Sequence, residues 1–287
     1  RLTDGAVAVA EKMKMPQIVI GLTIVAMGTS MPEFCVSLIS ALKGTSDLAV
    51  GNIVGSNIFN TLLIVGVSAL VAPMSIMKTT VRKDIPFALV ASALLLIMCL
   101  DEDISRFDAA ILFVMFLIFM YITLRGAKAQ GTDVEEKEKK PMATWLSVVW
   151  ILVGLACLIG GSNLFVDGAT VVATKLGVSE AVIGLTIVAG GTSLPELATS
   201  VVSARKGNSG IAIGNVLGSN VFNILAILGL TGVISPMTLK GITMTDLSMM
   251  VISIILIWLF SFTKYKIERW EGAILTAVFV GYIYSLL

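Results

Sequence analysis

The sequence predicts an all-α membrane protein in which ten transmembrane helices form an inverted repeat of five plus five. Hydrophobic residues make up 56% of the 287 residues and charged residues only 14%, a composition too apolar for a water-soluble chain of this length. Continuous apolar runs, close to the ~20 residues that a helix needs to cross the hydrocarbon, recur between short charged breaks. The third observation is a duplication that covers the chain.

The duplication joins two pairs of similar segments by one offset. Residues 21–33 read GLTIVAMGTSMPE and residues 184–196 read GLTIVAGGTSLPE, an offset of 184 − 21 = 163. The same offset carries residues 51–60, GNIVGSNIFN, onto residues 214–223, GNVLGSNVFN. Because each copy contains five spans, an odd number, the second copy must enter the membrane from the opposite side.

Apolar runs and turn signals predict five helices in each copy. They lie at residues 1–11, 16–42, 47–71, 84–100 and 106–124, and again at residues 143–174, 179–205, 210–234, 246–262 and 269–286. The two repeats therefore cover residues 1–124 and 143–287, and residues 125–142 link them. Arg1 pairs with Leu164 under the offset, whereas the first helix of the second copy starts at residue 143. We therefore expect most of the first helix of copy one to be missing from this chain.

Loop charges predict the orientation in the membrane. One set of alternating loops carries fifteen Lys and Arg residues, whereas the other set carries only Lys43, Arg106, Lys175 and Lys240. By the positive-inside rule, the richer set is cytoplasmic. We therefore predict a multi-pass protein of the cell membrane with both chain ends extracellular and the linker cytoplasmic.

Composition also narrows the function. The net charge of +1 suggests no nucleic-acid partner, and no obligatory protein partner is evident. The absence of histidine removes the commonest transition-metal ligand and, with no hydrolase motif present, argues against an enzyme; an oxygen site for a hard cation stays open. The linker acids could form a regulatory calcium loop, but their spacing is not that of a calcium-binding helix-loop-helix, and a solvated linker is favoured. These acids are Asp133, Glu135, Glu136 and Glu138.

The first motif, Gly28 to Glu33, reads GTSMPE and interrupts a long apolar run with a proline. Proline removes one backbone hydrogen bond and clashes with a carbonyl one turn earlier, so we expect the carbonyls near Ala26 and Gly28 to be freed. Freed carbonyls, two hydroxyls and a carboxylate are ligands that calcium and sodium prefer. A comparable acidic residue in mid-membrane costs about 2.5–3.5 kcal/mol. Its occurrence twice, at Glu33 and Glu196, favours a functional site over a structural kink with a protonated glutamate.

The second motif places a serine and two asparagines within about one helical turn. They are Ser56, Asn57 and Asn60, and the copies are Ser219, Asn220 and Asn223. With two glutamates, the motifs predict a midplane site of charge −2, which matches one Ca²⁺. The alternative is a glycine-lined packing seam bonded by amides. The seam is disfavoured for Asn60 and Asn223, and the choice stays open for Asn52, Asn57, Asn215 and Asn220.

These motifs resemble the two alpha-repeats of the calcium/cation antiporter superfamily, in particular its prokaryotic sodium/calcium exchangers. GTSMPE and GTSLPE are each followed by a GNxxGSNxFN segment, and the resemblance covers the full chain. It implies a ten-helix fold whose first and sixth helices slide across a core. It also implies that Glu33 and Glu196 are the central calcium ligands. The further ligands that it implies are Thr29, Ser30, Thr192, Ser193, Ser56, Ser219, the carbonyls of Ala26 and Ala189, and Asn60 and Asn223.

Two positions help to choose among the ions that such proteins exchange. The resemblance places aspartate at the position of Asn223 in potassium-dependent members and in some archaeal sodium/calcium members, so the asparagine argues against potassium dependence. Proton/calcium members usually carry a glutamate where Gly55 and Gly218 stand, which makes proton coupling the second choice.

The leading hypothesis is a secondary antiporter that exchanges Ca²⁺ for Na⁺ by alternating access at a midplane site. Both ions are substrates, no cofactor is expected, and the lipid bilayer is the surrounding partner. An H⁺/Ca²⁺ exchanger and a K⁺-dependent exchanger are the alternatives. A cation channel could also use carboxylates, but two broken-helix motifs at a repeat interface fit alternating access better.

Overall fold

The structure is a computed structural model that describes residues 2–13, 15–129 and 144–286. In the first repeat the helices are α1 (Leu2–Lys12), α2 (Gln17–Thr29), α3 (Met31–Leu42), α4 (Ser46–Val71), α5 (Thr80–Asp101) and α6 (Arg106–Ala129). In the second they are α7 (Thr144–Lys175), α8 (Ala181–Thr192), α9 (Leu194–Arg205), α10 (Ser209–Ile234), α11 (Met244–Ser261) and α12 (Arg269–Leu286). The predicted helices agree with these apart from shifts at their ends. Helix α6 continues past residue 124, and the linker acids lie outside the described residues.

Eight stretches of the described chain are long and apolar enough to cross a membrane. Six are single helices, namely α4, α5, α6, α7, α10 and α11. The other two are the pairs α2–α3 and α8–α9, each bent by 46° at its break. Helices α1 and α12 are not among these eight stretches. The chain is therefore a multi-pass α-helical membrane protein.

Four short strands, which the sequence did not predict, tie the two repeats together. β1 (Met74–Ser75) pairs antiparallel with β4 (Lys266–Ile267), and β2 (Asp103–Ile104) pairs antiparallel with β3 (Met237–Thr238). The offset of 163 carries β1 onto β3 and β2 onto β4. Each sheet therefore contains one strand from each repeat, and the repeat relation exchanges the two sheets.

Glycines allow helices of opposite repeats to touch backbone to backbone. A β-carbon on Gly55 of α4 would lie 2.5 Å from the carbonyl oxygen of Leu185 on α8. A β-carbon on Gly218 of α10 would lie 2.6 Å from the carbonyl oxygen of Leu22 on α2. Small residues at helix interfaces permit this approach in membrane proteins. The straight helices α4 and α10 are thereby held against the broken helices of the other repeat.

Helices α1 and α7 show that the two repeats are not arranged identically. The offset carries Asp4 to Asp167 and Lys43 to Lys206. Asp4 Oδ1 lies 2.7 Å from Lys206 Nζ. Asp167 and Lys43, the corresponding residues, are both exposed and form no ion pair within the described part of the chain. The same pair of charges is therefore joined in one position and separated in the other.

The glycine contacts generate a stability prediction. Gly218→Ala places a β-carbon against the backbone of Leu22, so we expect overpacking to lower the free energy of unfolding by about 1–3 kcal/mol. The measurement is the thermal unfolding midpoint of the purified protein in detergent, followed by tryptophan fluorescence. Gly161→Ala on α7 is the control, because nothing lies within 4 Å of its added β-carbon. A Gly218→Ala midpoint at or above that of the control would contradict the prediction.

Candidate functional site

The twelve predicted site residues lie at the two helix breaks and on the straight helices packed against them. Thr29 ends α2, Ser30 stands between α2 and α3, and Glu33 is in the first turn of α3. Helix α4 contributes Ser56 and Asn60. The second repeat places the corresponding residues in the same way on α8, α9 and α10. All twelve are fully buried, with 0% relative exposure.

Proline accounts for the position of each break. Pro32 stands in the first turn of α3, where its missing N–H is tolerated, but it cannot donate to Gly28 as a continuous helix would require. The chain turns at Ser30, where ψ is 11°. The expectation that Ala26 is freed as well is wrong, because its carbonyl oxygen accepts the Ser30 N–H at 3.0 Å. The same oxygen lies 3.3 Å from Thr29 Oγ1, and the corresponding oxygen of Ala189 accepts the Ser193 N–H at 3.1 Å.

Serine hydroxyls join the carboxylates across the repeats. Ser30 Oγ donates to Glu196 Oε1 at 2.8 Å, and Ser193 Oγ donates to Glu33 Oε1 at 3.0 Å. Within the second repeat, Ser219 Oγ also donates to Glu196 Oε1 at 3.3 Å. Each glutamate therefore accepts side-chain hydrogen bonds through Oε1, and its Oε2 accepts none from the described residues.

Four buried oxygens at this place have no hydrogen-bond partner among the described residues. They are Oε2 of Glu33, Oε2 of Glu196, Oδ1 of Asn60 and Oδ1 of Asn223. A buried acceptor without a partner costs about 1–3 kcal/mol, so such a set calls for an explanation. Two carboxylates and two amides are oxygen ligands of the kind that suit a hard cation. The described residues contain no group of three or more His, Cys, Asp or Glu side chains that could hold a metal, so further ligands would be neutral oxygens.

The two serines of the second motif are bonded differently. Ser56 Oγ donates to the carbonyl oxygen of Ala189 at 3.3 Å and lies 3.5 Å from Thr192 Oγ1. Its counterpart Ser219 bonds instead to the carboxylate of Glu196. The site therefore departs from the repeat relation, as helices α1 and α7 do.

Sequence reasoning missed two serines that support the glutamate segments. Ser37 and Ser200 are buried, and each accepts a hydrogen bond from an asparagine of the straight helix beside it. Asn52 Nδ2 donates to Ser37 Oγ at 2.9 Å, and Asn215 Nδ2 donates to Ser200 Oγ at 3.0 Å. The signal that could have found them is their position four residues after each glutamate, on the same face of the helix.

Comparisons with known sequences cover nearly all of the chain. The family model described as Sodium/calcium exchanger protein matches residues 1–125 and 146–287. The sodium/calcium exchanger MaX1 of Methanosarcina acetivorans is 33% identical in an alignment that covers 98% of this chain and 92% of that protein. The inner membrane protein YrbG of Escherichia coli is 38% identical, over 100% of this chain and 91% of that protein.

The fold is also similar to that of a solved exchanger. The sodium-calcium exchanger NCX_Mj soaked with Na⁺ and Sr²⁺ matches with a TM-score of 0.84 and 30% sequence identity. The match covers 100% of this chain and 94% of that chain. The predicted resemblance and fold class are confirmed, and so is the prediction that the chain is a transporter and not an enzyme. The chain belongs to the sodium/calcium exchanger family of membrane proteins.

Proposed function

We propose that this chain exchanges Ca²⁺ for Na⁺ across the membrane at one shared site between the two helix breaks. The observation that carries the proposal is the set of four buried oxygens without a hydrogen-bond partner in the described residues. Carboxylate and amide oxygens of this kind are hard ligands that Ca²⁺ and Na⁺ both accept. Sodium and calcium are also the ions in the names of the matching family and of MaX1.

In this proposal the two glutamates supply the charge and the neutral groups complete the ligand set. Glu33 Oε2 and Glu196 Oε2 would bind the cation directly, with Asn60 and Asn223 presenting their amide oxygens. The hydroxyl oxygens and carbonyls around them would be further ligands. These are Thr29, Ser30, Thr192, Ser193, Ser56 and Ser219, with the carbonyls of Ala26 and Ala189.

The burial of both glutamates supports coupling by a simple electrostatic argument. Two ionised carboxylates carry a charge of −2, and enclosing them without a counter-charge is costly because each buried ion loses several kcal/mol of solvation. A bound Ca²⁺, or an equivalent charge of Na⁺, offsets that loss. With cations bound, the site could therefore close on one side of the membrane and open to the other. An empty site with both glutamates ionised could not. Competition of Ca²⁺ and Na⁺ for the same oxygens would then couple the two flows.

Protons are the main alternative for the counter-flow, since protonation also neutralises a carboxylate. The positions of Gly55 and Gly218 weigh against a proton exchanger of the kind that has a glutamate there. A β-carbon at either position would lie within 2.6 Å of a backbone carbonyl oxygen of the other repeat, so neither side chain has room. The neutral Asn223 likewise supports independence from K⁺. A channel fits less well, because every predicted ligand residue is closed off from solvent.

The first prediction from this proposal concerns the glutamates. Glu33→Gln and Glu196→Gln keep the side-chain shape but remove a charge, so we expect each to reduce Ca²⁺ uptake at least about 100-fold. The measurement is ⁴⁵Ca²⁺ uptake into proteoliposomes, with size-exclusion chromatography to check folding. Glu271→Gln is the matched control, because Glu271 is equally buried but lies on α12 outside the site. Wild-type uptake in both site variants would contradict the ligand assignment.

The second prediction concerns the neutral amide of Asn223. Asn223→Asp adds a third carboxylate to the site, so we expect it to change the preference among monovalent ions and to shift the half-saturating Na⁺ concentration. Uptake is measured at a series of Na⁺ and K⁺ concentrations. Asn208→Asp, at the start of α10 and away from the site, is the control. If the Na⁺ and K⁺ dependence of Asn223→Asp equals that of the control, Asn223 is not a ligand.

The test of the function itself compares driving gradients. Vesicles containing the protein are preloaded with Na⁺, with K⁺, or with only a pH gradient, and ⁴⁵Ca²⁺ uptake is followed. We expect uptake with Na⁺ inside alone, since Na⁺ is the proposed exchange partner. Uptake driven only by the pH gradient would identify a proton/calcium exchanger. Discrete conductance steps in planar bilayers would identify a channel.

A further inference from the structure

Four asparagines lie beside the predicted ligands. Unlike those of Asn60 and Asn223, their side-chain oxygens all accept hydrogen bonds. Asn52 and Asn57 are on α4, and Asn215 and Asn220 are their copies on α10. All four are at most 1% exposed. Buried amides at helix interfaces often serve only to hold helices together. The hydrogen bonds of these four, however, follow one pattern that a packing role does not require.

The first half of the pattern concerns threonine hydroxyls. Thr192 Oγ1 has Asn52 Oδ1 as its nearest acceptor at 3.1 Å, with the carbonyl oxygen of Ala189 at 3.3 Å. Thr29 Oγ1 lies 3.1 Å from Asn215 Oδ1 and equally 3.1 Å from the carbonyl oxygen of Val25 in its own helix. In both cases the threonine and the asparagine belong to different repeats. A hydroxyl has one hydrogen and two lone pairs. When the hydrogen is directed to asparagine, only lone pairs remain for the site.

The second half concerns the amides of the predicted ligands. Asn223 Nδ2 donates to Asn57 Oδ1 at 3.0 Å, and Asn60 Nδ2 donates to Asn220 Oδ1 at 3.1 Å. Again each bond joins the two repeats. An amide held by its nitrogen presents its oxygen on the other side. Those two oxygens, of Asn60 and Asn223, are among the four that lack a partner in the described residues.

The side-chain nitrogens of the same four asparagines, here called the outer asparagines, donate to neighbouring acceptors that fix the orientation of each amide. Asn52 Nδ2 donates to the carbonyl oxygen of Glu33 at 3.2 Å as well as to Ser37, and Asn215 Nδ2 donates to the carbonyl oxygen of Glu196 at 3.3 Å. A flipped amide would place its oxygen against these acceptors, leaving two acceptors face to face.

The same restraint holds for the other two asparagines. Asn220 Nδ2 donates to Thr61 Oγ1 at 2.7 Å, and Asn57 Nδ2 donates to the carbonyl oxygen of Asn220 at 3.3 Å. Each of the four outer asparagines therefore directs its side-chain oxygen, and not its nitrogen, toward the predicted ligand that it contacts.

We propose that Asn52, Asn57, Asn215 and Asn220 are positioning residues that accept the hydrogens of four ligands from the opposite repeat, so that those ligands offer only lone pairs to the cation. The proposal rests on the function proposed above. It assigns no cation contact to the four asparagines. Their effect on ion binding passes through Thr192, Asn223, Thr29 and Asn60. A cation site surrounded by groups that can also donate would lose affinity whenever a hydrogen turned inward.

The experiment measures Ca²⁺ binding to the purified full chain in detergent by isothermal titration calorimetry. Asn57→Leu removes the acceptor and frees the amide of Asn223, so we expect the dissociation constant for Ca²⁺ to rise about tenfold. Asn57→Asp keeps an oxygen that accepts from Asn223 but loses the donor to the Asn220 carbonyl, so its dissociation constant is expected to rise less than that of Asn57→Leu. In an Asn223→Ala background, Asn57→Leu should add less than about twofold, because the residue through which it acts is gone.

Two results would overturn the proposal. One is an equal loss of affinity in Asn57→Leu and Asn57→Asp, and the other is an undiminished effect of Asn57→Leu in the Asn223→Ala background; either would indicate a structural role only. Ser68→Ala, a buried polar deletion elsewhere on α4, is the folding control. If Asn57→Leu does not fold, the same cycle is run on Asn52→Leu and Thr192→Val, with the same criteria. The wild-type chain is titrated with Ca²⁺ before any variant. If it does not bind Ca²⁺, the proposed function itself is refuted.

Discussion

The burial of two carboxylates sets the conditions for the rest of this structure. Glu33 and Glu196 are completely enclosed, and an ionised carboxylate loses several kcal/mol when it leaves water. The fold reduces this loss locally in two ways. Each glutamate lies in the first turn of a helix, where the helix dipole favours negative charge, and each accepts a serine hydroxyl from the other repeat. The helix dipoles and the serine hydroxyls compensate only part of the negative charge of the two glutamates, and a bound cation would offset the rest.

The helix breaks and the close helix contacts serve this arrangement together. Pro32 and its copy start new helices in the middle of the protein, so that helix N-termini form next to the glutamates. The glycines of α4 and α10 bring the backbones of the two repeats into contact. A larger residue at Gly55 or Gly218 would move the asparagines of these helices away from the threonines with which they bond. The site thus depends on small residues as much as on its polar ones.

Much of this could be predicted from the sequence because it depends on local signals. The repeat offset, the apolar runs and the two prolines predict the helices and their breaks, and the recurrence of Glu33 at Glu196 indicates the place of the site. The strands were not predicted, since a pair of two-residue strands such as Met74–Ser75 and Lys266–Ile267 has no periodic pattern. The bond between Ser30 and Glu196 was not predicted either, because it joins residues 166 positions apart. The Ala26 carbonyl was misjudged, because the proline removes the donor to Gly28 and not the donor to Ala26.

The reciprocal bonds between the repeats have a consequence for how the two halves of the gene can change over time. The ligands of one half are oriented by asparagines of the other half. A substitution in either half therefore changes the ligand geometry of the other, and the two halves cannot change independently at these positions. The residues themselves fit this constraint. Residues 21–33 and their copies differ at two of 13 positions, whereas residues 80–101 and their copies agree at only two of 22. A duplicated protein of this kind stays recognisable as a duplicate where its halves must remain each other's complement, and loses the likeness elsewhere.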